Sequence, residues 1–250
     1  MEDLPEVIVR NSADDICRTV AELVVRVART AIQKRGKFSM FLAGGSTPRP
    51  MYELLASAFE TAIQWDRVHL FWGDERFVSL DDPDSNFHMA NEAFISKLDI
   101  PESNVHALDV EAESVQDAAE SYEDTIRNTV DETTAANVPI CDVMLLGLGT
   151  DGHTASLFPH SPLLEEREKL VAGVPNPPER HDHPRVTTTF PLINQARYVW
   201  FLVTGERKRS TLNTILHDNP SIDEYPAAGV QPEGDLTWCL DDAAHPKNSG

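Results

Sequence analysis

Three short apolar runs in this chain each stop at a glycine and give way to polar residues. Residues 38–43 end at Gly44-Gly45-Ser46-Thr47-Pro48, and residues 68–72 end at Gly73-Asp74-Glu75-Arg76. Residues 142–146 end at Gly147-Leu148-Gly149-Thr150-Asp151-Gly152-His153. Runs this short and this continuously apolar suit strands buried on both faces, as in parallel sheets covered by helices. The intervening segments carry the helical period. Residues 13–35 place Ile16, Val20, Leu23, Val24, Val27, Ala28 and Ala31 on one stripe. Ser12 is placed to cap that helix, Asp14 and Asp15 lie in its first turn, and Gly36 ends it.

The alternation continues along the chain. Strands are predicted at 7–10, 68–72, 105–108, 142–146 and 198–203. Helices are predicted through Met51, Leu54 and Leu55, and over 86–98, 112–130 and 208–216. Residues 236–240 form a last apolar element of ambiguous type. This order predicts an α/β fold: a single Rossmann-like domain over 1–250, with a mainly parallel central sheet flanked by helices and flexible extreme ends. The stretch 173–191, rich in Pro and His, is expected to be a long active-site loop.

Charge narrows the function. Against 41 Asp and Glu stand 21 Lys and Arg, a formal net charge of −20. Nucleic-acid binders carry a basic patch, and the densest basic run here is only Arg207-Lys208-Arg209. Nucleic-acid partners are therefore not expected, and an anionic substrate would need a local cluster of donors. There is no apolar run of 18 residues, so no membrane span is expected. Cys17, Cys141 and Cys239 are far apart and form no CxxC, which suits buried thiols in a reducing compartment. The acidic N-terminus lacks a signal-like apolar stretch, and the cytoplasm is the expected location.

In open α/β sheets, ligands gather beyond the carboxyl ends of the strands. The three polar segments all fall at such ends. Gly44 and Gly45 allow a tight turn that presents amides, and Ser46 and Thr47 add hydroxyls. The helix that follows is expected to contribute unpaired N–H groups, making a phosphate pocket. An ordinary capped strand–helix turn would read the same way. The Walker order is absent, and Gly147, Gly149 and Gly152 lack the setting of a dinucleotide fingerprint. Asp74 and Arg76 are two apart in a tight turn and can bracket a reacting group. Asp151 and His153 offer a carboxylate and an imidazole, the natural general base near neutral pH. Arg185 and Lys208, in or just after expected loops, can close on a phosphate. His181 and His183 form an HxH without a recognisable third ligand, so no metal site is assigned. His69, His88, His106 and His160 are read as structural or exposed.

At these residues the chain resembles the 6-phosphogluconolactonase family, within the larger glucosamine-6-phosphate deaminase-like group. The resemblance runs through residues 41–56, 68–94, 141–162, 184–212 and 234–244. GDER with the spaced SNFHMA segment, plus DGHTASLFP, carries most of the specificity. Deaminases resemble the chain in the phosphate loop but typically continue the DGH segment differently. Here Thr154-Ala155-Ser156-Leu157-Phe158-Pro159 and Arg76 have the lactonase form. The resemblance implies hydrolysis of 6-phospho-D-glucono-1,5-lactone in the oxidative pentose phosphate pathway, without a cofactor. It implies a phosphate anchored at Gly44, Gly45, Ser46 and Thr47 and neutralised by Arg185 and Lys208. His153 is then the general base, oriented by Asp151 or Asp74. Arg76 stabilises the oxyanion, orients Asp74 or contacts hydroxyls. Ser46 and Ser156 lie outside a nucleophile elbow. The expected partner is the small sugar-phosphate lactone, and the expected state is a monomer or weak homo-oligomer.

Overall fold

The computed structural model describes residues 5–179 and 181–246; the expected flexible ends at 1–4 and 247–250 lie outside them. Nine strands and six α-helices alternate among these residues. Strand β1 (Glu6–Arg10) leads into α1 (Ala13–Arg35), whose ends are set by sequence-local chemistry. The Ser12 side chain accepts the Asp15 N–H at 3.2 Å, and Gly36 turns left-handed (φ 81°) to close on Ile32. Then come β2 (Phe38–Leu42), α2 (Arg49–Ser57), β3 (Val68–Trp72), β4 (Asp74–Arg76) and α3 (Asn86–Ala93). They are followed by α4 (Val115–Thr129), β5 (Val143–Leu146), β6 (Val171–Val174), β7 (Arg185–Thr188) and α5 (Phe190–Ile193). The last elements are β8 (Tyr198–Val203), α6 (Arg209–His217) and β9 (Asp235–Asp241).

Six strands form one wholly parallel sheet in the order β1-β9-β8-β5-β2-β3. Alternate residues of its inner strands serve opposite faces. Met40, Leu42, Leu70, Val143, Leu145 and Trp200 pack with α1, α2 and α3. Phe41, Phe71, Met144, Leu146, Val199 and Phe201 pack with α4 and the segments after β5. Burial on both sides explains why these strands read as largely apolar runs, interrupted only by Ser39 in β2 and His69 in β3. From β5 the chain order grows toward β8 and β9, and from β2 it grows the other way to β3. The direction therefore switches between β2 and β5, where an open α/β sheet leaves a crevice.

A second, three-stranded antiparallel sheet, β4-β7-β6, sits beyond the end of β3. It corrects the reading of 173–191 as one loop. Part of that stretch is strand, and Arg185 stands on β7 opposite Arg76. These strands have three or four residues, and their partners are remote in sequence, so no local period betrays them. Residues 105–108 join edge strand β3 by a single bridge, Leu70 with Val105, beside which the His106 N–H donates to Leu70 O and the His106 ring stacks on His69 and Phe71. The helix expected over 86–98 stops at Ala93, where Phe94 takes an extended φ of −151° before a short 3-10 turn. Residues 236–240 are settled as β9, parallel to both β1 and β8. Among the described residues, no helix is long and apolar enough to cross a membrane.

Candidate active site

The crevice at the β2/β5 switch is a cleft of about 240 Å³. The ends of β2, β3, β5 and β8 all open into it. Its lining includes Gly44, Gly45, Thr47, Asp74, Arg76, His153, Arg185 and Lys208 from the expected set, together with Asn86 and His181. Four remote stretches of sequence thus meet because the parallel sheet aligns their carboxyl ends, and the segment carrying His181 and Arg185 joins them from the second sheet.

The loop after β2 is built to present backbone. Gly45 has φ 87°, a conformation costly for any side chain. Thr47 faces the cleft, whereas Ser46 is exposed and is not part of its lining. The helix contribution is smaller than expected. Pro48 and Pro50 have no N–H, and the Met51 N–H is directed at the Cys17 thiol. Donors in this loop therefore come chiefly from the backbone of residues 44–47 and the Thr47 hydroxyl.

The turn after β5 carries Asp151 and His153. Asp151 Oδ1 lies 2.6 Å from His153 Nδ1, so in the neutral ring Nδ1 donates to the carboxylate and Nε2 keeps the lone pair. This is only possible because residue 149 is glycine: a Cβ there would collide with both His153 Nδ1 and Asp151 Oδ1. The turn is clamped from outside. Thr154 Oγ1 donates to Gly147 O at 2.9 Å, and Thr211 Oγ1 of α6 donates to Thr150 O at 2.7 Å. Burial pushes the His153 imidazole down to about 4; nearby Asp74 opposes this, and Lys208 and Arg185 add to it.

Asp74 occupies a different place from Asp151. Its Oδ2 accepts the Ser156 hydroxyl at 2.6 Å and lies 3.8 Å from Arg185 Nη1. Its backbone carbonyl accepts Asn86 Nδ2 at 2.8 Å. The choice left open between Asp74 and Asp151 is thereby resolved geometrically: Asp151 holds the imidazole. Glu75, next in the turn, points away from the cleft and is 3% exposed. It accepts the N–H groups of Arg76, Asn86 and Phe87, each at 2.7 Å, and so fastens the start of α3 to β4. Burial pushes its carboxyl up to about 7 against those hydrogen bonds.

The cations are only partly matched by counter-charge, Arg185 standing 3.8 Å from Asp74 Oδ2. Arg185 is 8% exposed, and its Nε has no hydrogen-bond partner among the described residues. Arg76 Nε is similarly unmatched, while its Nη1 donates to Asp84 O. Lys208 makes no ion pair among the described residues, and burial lowers its ammonium, with Arg207 adding to the effect. Desolvated cations of this kind favour a bound anion.

The HxH pair is split by the fold. His183 Nε2 meets Asp84 Oδ2 at 2.9 Å. His181 turns into the cleft, where its ring packs on Phe158 (4.6 Å between centroids) and edge-on to His153 (5.3 Å). The third ligand that the sequence did not supply is spatial: ligand atoms of Asp151, His153 and His181 lie within 4.8 Å of one another. Asn86, Ser156 and the placement of His181 escaped sequence reasoning. Asn86 and Ser156 fall inside the quoted motifs, but nothing local says what they touch.

Fold and cleft define an α/β protein with a sheet-end cleft lined by Arg76, Arg185 and Lys208 beside a carboxylate–imidazole pair. A sequence model described as glucosamine-6-phosphate isomerases/6-phosphogluconolactonase matches residues 11–238. The chain is 43% identical over 227 residues to the 6-phosphogluconolactonase of Synechocystis sp., covering 91% of each. It is 40% identical over 241 residues to that of Rattus norvegicus, covering 94% of this chain and 90% of the relative. The solved structure of 6-phosphogluconolactonase from Trypanosoma brucei superposes with a TM-score of 0.84 at 30% identity, over 96% of this chain and 97% of that one. The chain belongs to the glucosamine-6-phosphate isomerase/6-phosphogluconolactonase family.

Proposed function

We propose that this protein hydrolyses 6-phospho-D-glucono-1,5-lactone to 6-phosphogluconate. Similarity to lactonases over nearly the whole chain supports a hydrolase of this type. The observation that carries the reading is the Asp151–His153 pair facing a cleft that also holds Arg185, 3.8 Å from Asp74, and Lys208, which makes no ion pair among the described residues. The cations suit a phosphate, and the Asp151–His153 pair suits proton transfer.

In the proposed reaction, water attacks C1 of the lactone and gives its proton to His153 Nε2. Asp151 holds Nδ1–H and stabilises the imidazolium, a contribution of about 10²- to 10⁴-fold for the proton transfer. The carbonyl oxygen becomes an oxyanion, for which Arg76 is the available donor. Collapse of the tetrahedral species breaks the bond from C1 to the ring oxygen, which takes the proton back from Nε2. The carboxylic acid product then ionises. A lactone is an activated ester, so direct attack by water is sufficient and no acyl-enzyme is invoked. Asp74, held by Ser156, is placed to receive a sugar hydroxyl.

The phosphate end is tested by Arg185→Ala. KM for the phosphorylated lactone is expected to rise about tenfold or more, as befits loss of a charge-assisted contact. KM for unphosphorylated gluconolactone should change little. Equal effects on both substrates would remove Arg185 from phosphate recognition. Release of ammonia from glucosamine 6-phosphate, with no lactone opening, would reassign the chain to the deaminase branch.

A further inference from the structure

The loop that leads from β2 into α2 is fastened at both ends by side chains that are not part of the cleft lining. Ala43 is the first residue beyond β2. Its N–H donates to the Tyr52 hydroxyl at 3.0 Å, and the same hydroxyl donates to the Ala43 carbonyl at 2.8 Å. One phenol, at once donor and acceptor, thus serves both backbone groups of Ala43. Tyr52 stands in the first turn of α2, where its own N–H donates to Pro48 O at 3.1 Å. Its side chain is fully buried and its ring stacks on Phe94 at 5.0 Å between centroids. Burial pushes the phenol far up, so the hydroxyl keeps its proton.

The other end of the loop is held from α1. Cys17 Sγ donates to Thr47 O at 3.6 Å and receives the Met51 N–H. Burial pushes this thiol up to about 11, which keeps it a weak donor. Between the two anchors, Asn86 closes on Gly44, where a Cβ would collide with the Asn86 amide. Two adjacent glycines let a loop present its amides, but they also have the most freedom to lose on ordering. Anchors that fix the loop beforehand remove that cost from ligand binding. Asp151 and His153 hang on a different turn, after β5, so the anchors bear on anion recognition and leave proton transfer alone.

We propose that Tyr52 and Cys17 are positioning residues that set a preference for the phosphorylated lactone, by holding residues 43–47 in the shape that receives the phosphate. This role rests on the reading of that loop as a phosphate ligand.

Kinetics of the full-length protein on 6-phosphogluconolactone and on unphosphorylated gluconolactone test the role. Tyr52→Phe removes only the hydroxyl and keeps the ring on Phe94. Its KM for the phosphorylated lactone is expected to rise about fivefold or more, and that of Cys17→Ala about twofold to threefold, with Cys17→Ser returning toward wild type. In each variant kcat, and kcat/KM for gluconolactone, should stay within about twofold of wild type, because a general loss of structure would lower both. A folded Tyr52→Phe protein with unchanged KM, or with KM raised equally for both lactones, would overturn the role. If Tyr52→Phe does not fold, the Cys17 variants carry the same comparison. Calorimetry with 6-phosphogluconate, which needs no turnover, should show the same weakening in the variants. If wild type binds 6-phosphogluconate but opens no lactone, the catalytic reading fails and calorimetry alone decides: undiminished affinity in the variants overturns the positioning role. No binding of 6-phosphogluconate by wild type would overturn it as well.

Discussion

At the residue scale, the proposed chemistry is concentrated in one imidazole. His153 sits with Nδ1 against Asp151 and with its ionisation pushed down to about 4 by burial. A base works only when unprotonated. Its depressed ionisation therefore preserves activity as pH falls below 6.5 and removes it as pH approaches 4. A bound phosphate favours the imidazolium and raises this value part of the way back. The acid limb of kcat, measured at saturating lactone, is expected between about 4 and 6.5; a midpoint above 6.5 would contradict the buried neutral base. Of the site residues, Asp151 and His153 are legible in the sequence because they are two apart in one glycine-rich turn. Arg185 and Lys208 are legible as charges near sheet ends. Ser156 and Asn86 are not, because their partner Asp74 lies 82 and 12 residues away. Ser46 reads as a phosphate ligand from its neighbours but stands exposed at the outside of the turn.

At the scale of elements, turns after parallel strands set the geometry. The turn after β5 depends on Gly149, because a side chain there would occupy the space of the Asp151–His153 contact. Gly149→Ala is expected to displace the pair and lower kcat about 100-fold, the usual penalty for a misplacement of about 1 Å. Kinetics alongside a thermal melt separate this from unfolding; a folded variant with near-normal kcat would show that the close approach is dispensable. The parallel sheet was readable because its inner strands are apolar on both faces, and α1 because Ser12 and Gly36 mark its ends locally. The small antiparallel sheet was not readable. Strand β4 borrows its pairing from residues about a hundred positions away, with Asp74 opposite Thr187 and Arg76 opposite Arg185. A Pro- and His-rich stretch beside them looks like loop throughout. That sheet nevertheless matters for the site, since it brings Arg185 beside Asp74.

At the scale of the whole molecule, a net charge of −20 surrounds a cleft that gathers Arg76, Arg185 and Lys208. Long-range repulsion opposes the compact state, and salt screens it. Between about 0.1 M and about 1 M NaCl the Debye length falls from about 10 Å to about 3 Å. Tm is therefore expected to rise over that range, and a falling Tm would show that local ion pairs outweigh the self-repulsion. For the proposed anionic substrate, an acidic surface and a basic cleft would favour recognition at that one place. The most direct test of catalysis follows the opening of freshly generated 6-phosphogluconolactone beside its spontaneous hydrolysis, in metal-free buffer near neutral pH, with wild type and His153→Ala in parallel. Strong acceleration by wild type and a loss of about 10²- to 10⁴-fold in kcat for the folded variant are expected. Undiminished acceleration by His153→Ala would contradict the assignment of the base.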